Sequence, residues 1–100
     1  MKGYAKDLSQ IVQHYGVHHQ LAKASEEFQE ASEAADDYSR TYSARDFEHL
    51  AEELADAQIM IDQLRMFIPN LAEHMEAQKA FKVKRTLLRI SIENTKRGES

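Results

Sequence analysis

Residues 17 to 68 contain neither glycine nor proline. So long a run without a backbone breaker, in 100 residues that include thirteen alanines and eleven glutamates, favours helix throughout. Alanine loses no side-chain entropy in a helix, and the straight chain of glutamate loses little. The breakers that do occur divide the chain. Gly16 predicts the end of a first helix over about 6–15, because glycine takes a positive φ without a Cβ clash. A second helix is expected over 17–39, followed by the polar turn Arg40-Thr41-Tyr42-Ser43-Ala44-Arg45. Ser43 or Asp46 is the expected N-cap of a third helix that ends at Ile68, before Pro69. Asn70, with Glu73 three residues on, predicts the start of a fourth helix reaching about Ile92. The expectation is an all-α, four-helix bundle-like subunit, a single domain over 1–92, with 93–100 a frayed tail.

A chain of this length holds one small domain, which excludes doubly wound dinucleotide folds and TIM barrels. The absence of cysteine removes disulfides, thiolate nucleophiles and cysteine-based zinc or iron–sulfur sites. No apolar segment approaches the ~18 residues of a membrane span, and no signal-peptide core follows Lys2. A cytoplasmic protein without membrane association is expected. Basic residues without interleaved aromatics, and a pI of about 5.7, argue against nucleic acid as a partner.

Two apolar stripes recur at spacings of three and four. One is Leu21, Ala24, Phe28, Ala31, Ala35 and Tyr38; the other is Phe47, Leu50, Leu54, Ala57, Ile61, Leu64 and Ile68. They predict two antiparallel helices packed along these faces. With Leu21, Phe28, Phe47 and Leu54 at heptad position a, Glu27 and Glu53 fall at g, and Glu30 and Asp56 at c. Each helix thus carries an i, i+3 carboxylate pair on the same flank. Four carboxylates meeting across a helix seam repel one another and call for a cation. Oxygen ligands select Mg²⁺, Mn²⁺ or Ca²⁺ over zinc or copper. No twelve-residue EF-hand loop and no Glu-x-x-His of a di-iron bundle is present. The histidine pair His18-His19 is a poor metal site, because adjacent helical residues point about 100° apart.

The stretch Glu26-Glu27-Phe28-Gln29-Glu30, 22 residues, then Glu53-Leu54-Ala55-Asp56 resembles the EExxE…ExxD signature of the MazG-like all-α nucleoside triphosphate pyrophosphohydrolases. His14-Tyr15-Gly16-Val17-His18-His19-Gln20-Leu21 is similar to the lead-in of the short, phage-type members. Gln58-Ile59-Met60-Ile61-Asp62-Gln63-Leu64 is similar to their continuation, and Lys82-Val83-Lys84-Arg85-Thr86-Leu87-Leu88-Arg89-Ile90 to their basic last helix. The resemblance implies Mg²⁺-dependent hydrolysis of a nucleoside triphosphate to a monophosphate and pyrophosphate, and a dNTP is the expected substrate, for nucleotide-pool control or house-cleaning. Mn²⁺ would be a substitute. It implies Glu27, Glu30, Glu53 and Asp56 as metal ligands; Glu26, which matches the first acid of EExxE, is the candidate for a carboxylate not fully engaged with metal that orients or deprotonates water.

Residues 79 to 97 hold seven Lys/Arg against the single Glu93, whereas 24 to 62 hold twelve Asp/Glu against two Arg. Lys82, Lys84, Arg85 and Arg89 are therefore candidate phosphate-binding residues, or else partners of the acidic helices, and Gln20 is a candidate contact to base or sugar. The fourth helix has two apolar flanks, one with Phe81, Leu88 and Ile92, the other with Ala80, Val83, Leu87 and Ile90. Two flanks need two neighbours, so a homodimer or homotetramer is expected. Phosphoribosyl-ATP pyrophosphohydrolase and a non-catalytic helical interaction module are the competing functional readings.

Overall fold

The computed structural model describes residues 3–99, and all its regular elements are helices: α1 (Ala5–Tyr15), α2 (Val17–Thr41), α3 (Ala44–Phe67) and α4 (Leu71–Glu99). They fall into two compact units, Met1–Pro69 and Asn70–Ser100.

Each helix of the first unit ends where the backbone chemistry requires it. Gly16 alone separates α1 from α2, with φ 89° and its N–H donating to the Val12 carbonyl at 2.7 Å. A side chain would be strained at that φ. Tyr42 closes α2 in the left-handed region at φ 51°, its N–H donating to the Tyr38 carbonyl. The Tyr38, Tyr42 and Phe47 rings pack edge-on around this corner. Ser43 then caps α3, its Oγ accepting from the Asp46 N–H at 3.1 Å. Ile68, the residue before Pro69, is extended, and α3 stops at Phe67.

α2 and α3 pack against each other along most of their length, and α1 lies on both through buried Leu8 and Val12. The seam shares Ala24, Ala31 and Ala57 with the predicted apolar stripes but differs from them in its other residues. Ala24, Ala31, Ala34, Ala57 and Met60 are buried there together with Gln20, Glu27 and Gln63. Leu21, Phe28, Phe47 and Leu54, placed by the pattern at the centre of the interface, are 44, 40, 54 and 52 % exposed. Both helices are therefore rotated toward the flank that carries the acids. Small side chains let the two backbones approach, and the larger ones stand beside the seam.

The second unit is α4, which begins after Asn70 in the left-handed region at φ 67°. It continues past Ile92 to Glu99, where a frayed tail is expected from sequence. Lys96 and Arg97 in its last turn oppose the negative end of the helix dipole, and Glu93 to Arg97 contain no breaker. Phe81, Val83, Leu87, Leu88, Ile90 and Ile92 are exposed.

Candidate metal centre in the α2–α3 seam

The rotation of α2 and α3 that exposes Phe28 and Leu54 turns Glu27 and Glu53 inward. Glu27 is 8 % exposed, and the Glu53 side chain only 13 %. Glu30, one turn beyond Glu27, is exposed at the edge of the same seam. Oxygens of Glu27, Glu30 and Glu53 lie within 4.8 Å of one another. Oxygens on opposite sides of a hard cation stand about 4 to 5 Å apart, so this spacing suits a single divalent ion.

The partners of these oxygens are incomplete. Lys23, one turn before Glu27, places Nζ 3.3 Å from Glu27 Oε1. His49 Nδ1 stands 3.9 Å from Glu53 Oε1. Glu27 Oε2 and Glu53 Oε2 are buried and have no hydrogen-bond partner. A buried carboxylate oxygen without a donor or cation costs far more than a solvated one. The electrostatics agree with the geometry. The carboxylate of Glu27 pushes the Glu30 carboxyl above its ordinary range, with loss of solvation and then Glu53 adding to the effect. Glu27 conversely raises the Lys23 ammonium, first through their hydrogen bond and then through its charge. The donor set, all hard oxygen with two unmatched buried atoms, fits a divalent ion such as Mg²⁺ or Mn²⁺.

Asp56, the fourth acid of the matched pairs, is exposed and is not one of the three that converge. It borders a cleft of about 300 Å³ shared with Lys23, Glu27, Ile59 and Met60. Glu26 is exposed on α2 and lines a larger cleft, of about 570 Å³, which also contains Tyr15, His19, Gln20, Lys23, Ile59 and Gln63. No family model, curated protein or solved structure matches the chain. The site therefore rests on its own geometry, an all-α chain with a glutamate cluster that is consistent with the MazG-like pattern.

Gln20 is buried at one end of the larger cleft and donates through Nε2 to Gln63 Oε1 at 2.8 Å. Lys82, Lys84, Arg85 and Arg89 are exposed on α4, with the Arg85 guanidinium 5.6 Å from the centre of the Phe81 ring. Sequence reasoning missed Gln63 and Lys23 as parts of this region. Gln63 had a signal: an amide three residues after Met60, where the helical repeat calls for an apolar side chain. Lys23 had one in its i, i+4 spacing to Glu27.

Proposed function

We propose that the protein is a divalent-metal-dependent hydrolase that cleaves a nucleoside triphosphate, a dNTP by preference, to the monophosphate and pyrophosphate. The observation that carries the reading is the convergence of Glu27, Glu30 and Glu53 with two buried, unpartnered carboxylate oxygens. Such an arrangement is poorly stable without a cation and is suited to a polyanionic substrate once one is bound.

Glu27, Glu30 and Glu53 would hold the ion, Mg²⁺ or its substitute Mn²⁺, with Asp56, which lines the adjoining cleft together with Glu27, as the further candidate ligand. When bound, the ion supplies positive charge and Lewis acidity toward the phosphate oxygens. Glu26, exposed in the larger cleft and outside the converging three, orients and deprotonates the attacking water. Lys23, with Nζ 3.3 Å from Glu27 Oε1, offsets part of the negative charge of the cluster. Lys82, Lys84, Arg85 and Arg89, exposed cations of the second unit, are the candidate phosphate-binding groups. A second copy of the chain covers the exposed Leu21, Phe28, Phe47 and Leu54, making a homodimer or homotetramer.

The experiment is a screen of common and damaged nucleoside triphosphates for pyrophosphate release in Mg²⁺. At least one should be turned over, and Glu53→Gln should abolish that turnover while the helical circular-dichroism signal survives. Absence of release from every nucleotide, or turnover unaffected by Glu53→Gln, would overturn the reading.

A further inference from the structure

The larger cleft ends on a polar group for which the proposed hydrolysis has no use. Gln63 is 1 % exposed, lines the cleft, and has a buried Nε2 without a partner. In the structure the amino end of this amide is the unpaired one. Gln63 Oε1 accepts from Gln20 Nε2 at 2.8 Å, and Gln20 Oε1 lies 2.8 Å from His19 Nδ1. An amide carbonyl can only accept, so His19 Nδ1 carries the proton of that bond. Both carbonyls of the relay are then engaged, and the group left for a ligand is the N–H₂ donor of Gln63. A buried donor without an acceptor is costly, and such sites are satisfied by water or by ligand.

The surroundings state what kind of acceptor suits it. The Tyr15 and His19 rings are stacked, 4.9 Å between centres and 18° between planes, and both line the cleft. Ile59 and Met60 make an apolar wall. An aromatic face, an apolar wall and an unpaired buried donor among the lining residues match a planar heterocycle bearing a carbonyl. Lys23, which contacts Glu27, and Glu26 line the same cleft, so it adjoins the glutamate cluster.

We infer that Gln63 determines base specificity, its side-chain N–H donating to a ring carbonyl of the nucleobase, with Gln20 and His19 as positioning residues that hold the amide in that orientation. The inference rests on the nucleotide reading of the glutamate cluster but does not need the hydrolysis. It selects for thymine, cytosine or guanine, which carry a ring carbonyl, and against adenine, which has none.

The test uses 2′-deoxynucleoside 5′-monophosphates of the four bases, without metal, titrated into ¹⁵N-labelled protein while the Gln63 side-chain amide resonance is followed. A carbonyl-bearing monophosphate should move that resonance and dAMP should not. Gln63→Met and Gln63→Glu should weaken binding of the effective nucleotide about five- to tenfold, the size of one lost neutral hydrogen bond. No response to any monophosphate, a response to dAMP equal to the best of the others, or unweakened binding by a folded variant would overturn the inference. If the variants do not fold, the wild-type resonance alone decides. Binding through Gln63 without hydrolysis of any triphosphate would sink the hydrolase reading and leave this one standing; hydrolysis with a silent Gln63 would do the reverse.

Discussion

The side-chain amide of Gln20 donates to Oε1 of Gln63 at 2.8 Å, a buried bond between residues 43 apart in the chain that ties α2 to α3 at one end of the larger cleft. Gln20→Ala leaves the Gln63 carbonyl buried without its donor. Urea denaturation should show a loss of about 1 to 3 kcal/mol, the desolvation cost of one orphaned neutral group. A loss below a few tenths would mean that water replaces the amide freely.

The corner between α2 and α3 carries an acid-labile contribution. Hydrogen bonding from Thr41 holds the Asp46 carboxyl below its ordinary range, outweighing the opposing loss of solvation, and hydrogen bonding from Ser43 adds a smaller lowering. A depressed folded value gives stability that is present above the unfolded aspartate range and is lost as pH falls through the folded value. Asp46→Asn should therefore lose less stability than wild type on acidification, measured by thermal melts from neutral pH downward. Ser43→Ala, which removes the cap on the Asp46 N–H, should cost about 1 kcal/mol at neutral pH.

Lys82 and Arg85 are exposed cations on α4. Replacing either with alanine should raise KM for the triphosphate several-fold with kcat less affected, because a ground-state phosphate contact is lost. Unchanged kinetics would assign both side chains to solvent or to acidic neighbours.

Leu21, Phe28, Phe47 and Leu54 leave a large apolar surface beside the seam. Sedimentation at micromolar concentration should give a dimer or tetramer, and Leu54→Ser should shift it toward monomer. A stable wild-type monomer would refute self-association through this face.

Much of the fold was legible from a few residues, and its rotation was not. Gly16, Ser43 and Pro69 mark the breaks between helices because each has a specific backbone consequence. The i, i+3 acid pairs predict that Glu27, Glu30, Glu53 and Asp56 converge; the first three do, and Asp56 does not join them. The seam register was hidden because Ala24 and Ala31 belong both to the stripe through Leu21 and Phe28 and to the one through Gln20 and Glu27. Hydrophobicity favours the first stripe, whereas close backbone approach and a cluster buried in the seam belong to the second. The same rule, that polar residues face water, concealed Gln63. The lack of an apolar face beyond Ile92 hides the true length of α4, because propensity and a basic last turn suffice to give helix to Glu99.

The account turns on a cation in the seam. The most direct measurement is the thermal unfolding midpoint of wild type and of Glu53→Gln during titration with Mg²⁺ and with Mn²⁺. A ligand that binds only the folded state stabilises it by RT ln(1 + [L]/Kd). The midpoint of wild type should rise with metal while that of Glu53→Gln stays flat; a wild-type midpoint indifferent to both ions, or an equal rise in the variant, would contradict the metal centre.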